Sequence, residues 1–272
     1  MKKRVTIFIF LFILLSATGA NNYQLLAEDI KDDHRYVEKE IKTLESYFYE
    51  FYEIKENGGK YQDFLNKIFN KADQLLKRYP DNIHFYEAVN IIYLRLGEYH
   101  NSSVDVFQKG KEYSQKLKKI ESRESERGTF WEAAFMGKIG EEEGIISSIF
   151  KIKPMEEKLL KCINAEPDFA PAYDILARLY NQAPEWPLSI GDKNKALKYR
   201  KKSVKLDPYN FEYQWLLYKN YIELNEFEKA KNVLTDILNI PGDGQSKFYY
   251  GRDIRQETRE KAREELKELA GE

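Results

Sequence analysis

Apolar side chains recur at spacings of three and four residues along almost the whole chain after Asp29, which is the period of a helix and not of a strand. Glycine and proline are sparse, with 14 and 8 among the 272 residues. Four prolines each follow an amphipathic stretch: Pro80, Pro167, Pro208 and Pro241. Because a proline cannot continue a helix, these positions separate one helix from the next. The sequence therefore predicts an all-α protein built from short amphipathic helices.

The helices that follow these prolines share one pattern of residue types. It reads aromatic-x-x-apolar-small-x-x-Tyr at 86–93 and again at 173–180, and its second half recurs at Leu217 and Tyr221. The helix after that carries one small and two apolar residues before its own proline: Ala230, Leu234 and Ile237. Small residues let the two helices of a hairpin approach closely, while the aromatics fill the space to the next hairpin. The pattern resembles the tetratricopeptide repeat, whose period is about 34 residues.

The spacing of the repeat markers locates an insertion. Ala196 and Ala230 are one period of 34 residues apart, whereas Tyr180 and Tyr221 are 41 residues apart. The seven additional residues fall where the sequence reads Pro-Glu-Trp-Pro-Leu-Ser-Ile, at 184–190. We therefore predict that a loop interrupts this hairpin.

We predict that residues 21–272 form a single domain, a helical-hairpin solenoid of the tetratricopeptide type. It has four or five hairpins, one loop insertion and a C-terminal capping helix. The first hairpin is predicted over 37–79, with a turn at 57–59, where an asparagine precedes two glycines. The last helix, predicted over 254–269, is apolar on one face only, as a cap requires.

Two helix boundaries between the first hairpin and the insertion are also predicted. The helical pattern shows no break at Tyr99, so we predict that this helix continues to about Ile120. A new helix is predicted to begin at Trp131, in a degenerate copy of the repeat that closes at Pro167.

The first twenty residues have a different composition from the rest. Lys2, Lys3 and Arg4 precede the apolar run at 5–15, and small residues follow it up to Ala20. This run is shorter than the about 20 residues that a membrane-spanning helix needs. We therefore predict that residues 1–20 are a cleavable signal peptide and that the protein is periplasmic or secreted. The alternative is that the segment is retained as an anchor.

Charge and cysteine content exclude several functions. The formal net charge is −1, so no overall field attracts nucleic acid or an anionic membrane. Cys162 is the single cysteine, so an internal disulfide and a lipid-anchored form of the usual bacterial kind are both excluded. We interpret Cys162 as a small buried hydrophobic residue, the alternative being a reactive thiol.

Catalytic signatures are absent from the sequence. His34, His84 and His100 have no partners at metal-ligand spacing, and neither a nucleophile elbow nor a phosphate-binding glycine loop occurs. The sequence therefore predicts a non-enzymatic binding protein with no cofactor, metal or nucleic-acid partner.

The inserted loop is the first candidate binding site. Pro184, Trp186 and Pro187 make it stiff and apolar, and a loop that departs from a regular scaffold often carries function. Asp192 is predicted to cap the next helix. The alternative interpretation is that Trp186 only covers a gap in the core.

The first helix of each hairpin supplies the second candidate site, because these helices line the concave surface of such a solenoid. Asp174, Arg178 and Asn181 share one helical face, and Trp215 and Lys219 occupy matching positions one hairpin later. Trp131 is a further candidate binding residue, and Ile222 completes the second set. Such a groove suits an extended peptide or an acidic tail. The alternative is a solvated face with an Asp–Arg pair.

Two sequence segments narrow the resemblance. They are Trp-Glu-Ala-Ala-Phe at 131–135 and Ala-Pro-Glu-Trp-Pro-Leu-Ser-Ile-Gly-Asp at 183–192. They resemble the T component associated with periplasmic TRAP transporters, in which a Pro-Leu-Ser-x-Gly-Asp loop interrupts a tetratricopeptide hairpin. A lipid-anchored branch of that family has a cysteine that this chain lacks. The resemblance implies an accessory protein that contacts a substrate-binding protein, with a cleft for an apolar small molecule.

These observations lead to three hypotheses for function. The first is an exported tetratricopeptide binding protein that serves a TRAP-type solute uptake system and contacts a periplasmic solute-binding protein. The second is a carrier of a hydrophobic small molecule, and the third is a general envelope assembly scaffold. The sequence leaves open whether the protein forms a homo-oligomer.

Overall fold

The computed structural model describes residues 21–56, 61–99, 103–122, 125–241, 246 and 255–271. This part of the chain contains eleven α-helices and no named strand, so the all-α prediction is confirmed. The chain divides into two compact units, Met1–Pro80 and Asp81–Glu272.

The first unit contains two helices, α1 (Asn21–Glu56) and α2 (Gln62–Arg78). Apolar residues at helical spacing face each other between them, with Leu44 and Phe51 on α1 and Leu65 on α2 each almost fully buried. The turn predicted at 57–59 lies outside the described residues.

The second unit contains four helical hairpins and a final helix. Its helices are α3 (Ile83–Tyr99), α4 (Ser103–Ile120), α5 (Arg127–Glu143), α6 (Ile145–Ala165), α7 (Ala170–Gln182), α8 (Lys193–Leu206), α9 (Phe211–Glu223), α10 (Phe227–Asn239) and α11 (Arg255–Ala270). Each helix packs on the next along the chain, so α3/α4, α5/α6, α7/α8 and α9/α10 stack in order. This is the arrangement that the repeat predicted.

The prediction of one helix from Tyr86 past Tyr99 to Ile120 is wrong. The rings of Tyr93 on α3 and Tyr113 on α4 lie 5.3 Å apart between centroids, which is impossible for residues twenty positions apart in one straight helix. The two helices therefore lie side by side as a hairpin. The next helix also begins at Arg127, one turn before the predicted start at Trp131.

Glycines set the distance between successive helices. A Cβ atom at Gly97 of α3 would lie 2.1 Å from the ring of Phe107 on α4. A Cβ atom at Gly110 of α4 would likewise lie 2.2 Å from the ring of Phe135 on α5. An aromatic ring of one helix therefore sits directly on the backbone of the previous helix, and any side chain at these positions would push the two helices apart.

The predicted C-terminal cap is confirmed. Ala262 of α11 is fully buried in a core cluster with residues of α9 and α10, and Leu266 and Leu269 pack against that cluster. The opposite face of α11 is polar and carries the predicted pair of Glu257 and Lys261, whose oxygen and nitrogen lie 2.7 Å apart. The last hairpin is thereby covered by a helix with one apolar face.

We predict that Gly110→Val destabilises the protein. The added side chain must displace Phe135 in a closely packed core, which costs about 2 kcal/mol. The free energy of unfolding is measured by urea titration. Gln108→Val, at an exposed position of the same helix, is the matched control for helix propensity. Equal stability of the Gly110→Val variant and the control would contradict this packing.

Candidate functional site

The first helices of the four hairpins line one groove in the second unit. Side chains from α3, α5, α7 and the start of α9, together with Met155 of the outer helix α6, surround a cavity of about 210 Å³. Its apolar wall includes Trp131, Ala134, Met155 and Ile175. Three of the candidate binding residues, Trp131, Asp174 and Arg178, lie in this lining.

A network of charged side chains forms one wall of the groove. Arg178 Nε donates to Asp174 Oδ2 at 2.8 Å, and Arg178 Nη2 donates to Glu212 Oε1 at 2.8 Å. Arg200, on the outer helix α8 of the same hairpin, pairs with the other carboxylate oxygen of Asp174. Three helices, α7, α8 and α9, thus meet at one chain of charges.

The network is more deeply buried than the sequence suggested. The predicted Asp–Arg pair exists, but Asp174 is only 5% exposed and Arg200 behind it 2%, whereas Arg178 and Asn181 are half-buried. Burial lowers the pKa of Arg200 to about 10, which still leaves the guanidinium charged at neutral pH. Burial raises the pKa of Glu212, but Arg178 and neighbouring arginines outweigh it and hold that pKa below its usual value. Arg200 and Glu212 are therefore both charged at neutral pH.

A second set of charges lines the other side of the groove. Lys138 of α5 lies 3.2 Å from carboxylate oxygens of both Glu98 and Glu141, and Arg95 also lies 3.2 Å from Glu98. Every cation that lines the groove is thus within ion-pair distance of a carboxylate. Among the described residues, the groove therefore has no unpaired cation that would favour the acidic tail considered from the sequence.

Asn181 belongs to a separate polar cluster where α7 and α9 end. Its Nδ2 donates to Glu223 at 3.3 Å, and its Oδ1 accepts from Asn220 at 3.2 Å. Lys193 Nζ donates to the Asn181 carbonyl at 3.0 Å and to Glu223 at 2.7 Å. The cluster joins the C-terminal ends of α7 and α9, so these ends lie at the same edge of the unit.

Trp131 lies at the base of the groove within an aromatic cluster. It is 5% exposed, and its ring contacts Phe130 at 4.9 Å and Phe135 at 6.4 Å between centroids. Its indole nitrogen has no hydrogen-bond partner among the described residues. Trp131 is therefore mainly a core residue, and its small exposed part adds apolar surface to the groove.

The inserted loop is exposed and lies outside the residues that line the groove. Trp186 is 85% exposed, so the alternative in which it covers a core gap is wrong. Pro184 and Pro187 flank it in a loop that runs from Ala183 to Asp192, and the Trp186–Pro187 peptide bond is cis. The predicted cap is confirmed, because the Asp192 carboxylate accepts from two backbone N–H groups of α8.

Trp215 and Lys219 do not extend the groove as the repeat register suggested. Trp215 is half-buried against the C-terminal core cluster and packs on Tyr218 at 5.0 Å, and Ile222 packs on the same cluster. Lys219 is exposed. The cluster includes Ala262 of α11, so these positions of α9 serve the cap. The residues of α9 that line the groove are instead in its first turn.

Several groove residues were missed by sequence reasoning. Arg95, Lys138 and Glu212 lie on the first helices, and the face that they share could have been found by extending the helical register from Arg178. Arg200 has no such signal, because a lysine-rich helix gives no indication that one arginine is buried. Its role depends on the position of α8 behind α7.

Cys162 is buried, as predicted, and burial raises the pKa of its thiol to about 12. A thiol with this pKa stays protonated and unreactive at neutral pH. Within the described residues, no helix combines the length and the apolar character needed to cross a membrane.

Comparison with known proteins shows the fold. TTC0263, a thermophilic TPR protein of Thermus thermophilus, is similar in structure, with a TM-score of 0.55 and 14% identity over 82% of this chain and 98% of that one. MamA of Desulfovibrio magneticus RS-1 gives a TM-score of 0.42 with 16% identity, over 71% of this chain and 91% of its own. The first of these similarities confirms a tetratricopeptide-type solenoid.

No protein-family model matches the chain, and no curated protein is significantly similar to it. The resemblance to the T component of TRAP transporters therefore stays a prediction. The tetratricopeptide scaffold itself is typical of proteins that bind other proteins or peptides.

We predict that Asp174→Leu costs about 3 kcal/mol of folding free energy, because it leaves Arg200 charged and buried without its carboxylate. Adding Arg200→Met should restore most of this loss, since an apolar pair of similar volume needs no compensating charge. Urea unfolding of both variants measures the effect. A double variant no more stable than Asp174→Leu alone would show that the two charges are not coupled.

Proposed function

We propose that this protein binds a segment of a partner protein in the groove formed by α3, α5, α7 and α9. The observation that carries this proposal is a concave apolar surface on a tetratricopeptide scaffold, bordered by charges that are already paired. Because these charges are already paired, their side chains hold their positions before the ligand arrives. They can therefore orient polar groups of a bound chain with little further loss of side-chain conformational entropy. Binding, and not catalysis, is the activity that this arrangement supports.

The dimensions of the groove favour a peptide over a lipid-like molecule. Sites for drug-sized ligands occupy about 300–1,000 Å³, and the cavity here is about 210 Å³. Such a space receives one or two side chains of an extended segment. The wall formed by Met155 and Ile175 would receive an apolar side chain, while Lys138 and Glu212 face its polar neighbours. The carrier of a hydrophobic small molecule is therefore the weaker candidate.

We further propose that the protein is exported and serves a TRAP-type solute uptake system, with a periplasmic solute-binding protein as the partner. Two sequence features support this finer assignment. The first is the basic and apolar pattern of residues 1–20, and the second is the Pro-Leu-Ser-x-Gly-Asp pattern at 187–192. An envelope assembly scaffold would use the same groove for a different partner, so identification of the partner separates the two assignments.

We predict that Ile175→Lys abolishes capture of the partner. Ile175 is half-buried in the groove wall, and a lysine there puts a charge where an apolar side chain has to bind. Tagged protein is recovered from its own cell envelope, and bound proteins are identified by mass spectrometry. Ile163→Lys, at a half-buried position of the outer helix α6, is the matched control.

Recovery of a solute-binding protein by the original chain and the control, but not by Ile175→Lys, would establish both the groove and the transport role. Recovery of another envelope protein with the same dependence would retain the groove and replace the transport role. Equal recovery by both variants would exclude the groove as the site.

A further inference from the structure

Among the described residues of the second unit, the large apolar side chains with the highest exposure fall in two segments, the start of α6 and the inserted loop. Ile145 is 80% exposed, Ile146 75% and Phe150 78%, all at the start of α6. Trp186 is 85% exposed and Leu188 80%, both in the inserted loop. These are the five most exposed large apolar side chains among the described residues of the unit. We call these five residues the apolar edge.

The two segments lie at the same edge of the solenoid. The rings of Phe130 near the start of α5 and Phe169 just before α7 lie 4.8 Å apart, and Glu141 and Gln182 near the ends of these helices line the same groove. The two helices therefore run in the same direction and end on the same side. The start of α6 follows α5 directly after Gly144, and the inserted loop follows α7. The tips of two successive hairpins therefore carry all five side chains.

Helix length explains why the start of α6 is uncovered. Helix α6 has 21 residues, whereas α8 has 14. The seven additional residues extend α6 by about 10 Å beyond what the next outer helix can cover. Ile145, Ile146, Ile149 and Phe150 fall at spacings of one, four and five residues, which places them on one face of this extension.

The inserted loop holds its exposed side chains on an ordered backbone. Gly191 N donates to Pro184 O at 2.9 Å, and Leu188 N donates to Glu185 O at 3.0 Å. A Cβ atom at Gly191 would lie 2.2 Å from the carbonyl oxygen of Ala183, so only glycine permits this closure. A tryptophan presented on such a loop loses little conformational entropy on binding, as is typical of residues that dominate an interface.

The charges around the apolar edge are mainly negative. Glu142 and Glu185 are exposed, and neither forms an ion pair within the part of the chain that the structure describes. Two nearby lysines are already paired, Lys151 with Glu143 at 2.6 Å and Lys138 with Glu141 at 3.2 Å, and Lys195 lies over the ring of Tyr180 at 5.1 Å. The two unpaired carboxylates, Glu142 and Glu185, therefore favour basic groups over acidic ones in a segment that covers the apolar edge.

We propose that the apolar edge is a second docking surface, separate from the groove, and that it binds an amphipathic helical segment of a partner protein whose apolar face is bordered by lysine or arginine. The apolar side chains of that segment cover Ile146, Phe150 and Trp186. Its basic residues meet Glu142 and Glu185. Apolar burial supplies affinity, and the charge pattern selects the partner and its orientation.

The test uses a fluorescently labelled synthetic amphipathic helix of leucine and lysine, and a counterpart in which every lysine is glutamate. Binding to the full chain is measured by fluorescence anisotropy. We expect the lysine peptide to bind at least about tenfold more tightly than the glutamate peptide. Bound peptide should also shield the exposed tryptophan from acrylamide quenching, since Trp131 is already buried and Trp215 is half-buried.

Three serine substitutions at Ile146, Phe150 and Trp186 should weaken binding of the lysine peptide by about tenfold or more without loss of helicity, because each side chain is at least 75% exposed. Ile83→Ser with Tyr209→Ser, at the opposite edge, is the matched control, with exposures of 38% and 42%. The groove variant Ile175→Lys should also bind the peptide normally, so failure of the groove and failure of the apolar edge are distinguishable.

Equal affinity for the two peptides, or unchanged affinity of the triple variant, would overturn the proposal. So would shielding of Trp186 by vesicles of phosphatidylglycerol or phosphatidylcholine without peptide binding, which would identify a membrane surface instead. A dimer in analytical ultracentrifugation that the triple variant abolishes would identify a second copy of the chain as the occupant.

Discussion

Close approach of successive helices is the constraint on which the second unit depends. Phe107 and Phe135 each lie on a glycine of the preceding helix, at distances that leave no room for a methyl group. Because the helices meet this closely, each hairpin buries its apolar face only on the next hairpin. The stack then fixes which helices face inward, and the groove lined by α3, α5, α7 and α9 is a direct result of it.

The charged residues are best understood as part of this stack. Asp174 pairs with Arg178 on its own helix and with Arg200 on the outer helix, and Arg178 continues to Glu212 on the next hairpin. An ion network of this kind adds little net stability, since desolvation offsets most of the attraction. It does hold the groove wall in one geometry, which is what a binding surface with few mobile groups requires.

The sequence predicted features that depend on neighbouring residues and missed those that depend on stacking. The helix before Pro167, the cap at Asp192 and the stripe of α11 follow from local chemistry, and all three are confirmed. The residues between α3 and α4 include neither glycine nor proline. The helical spacing of apolar residues therefore continues across the point where the two helices separate, and the sequence gives no sign of the break. Burial of Arg200 and exposure of Ile146 depend on which helix lies beside them, and helical spacing alone does not contain that information.

Site-specific photo-crosslinking tests the central claim, binding in the groove, most directly. A photoreactive amino acid replaces Ile175 in the groove wall or, as the reference, Ile163 on the outer helix, and cells are irradiated before the envelope is isolated. We predict one discrete crosslinked protein from position 175 and none from position 163. Crosslinking of the same proteins from both positions, or from neither, would contradict it.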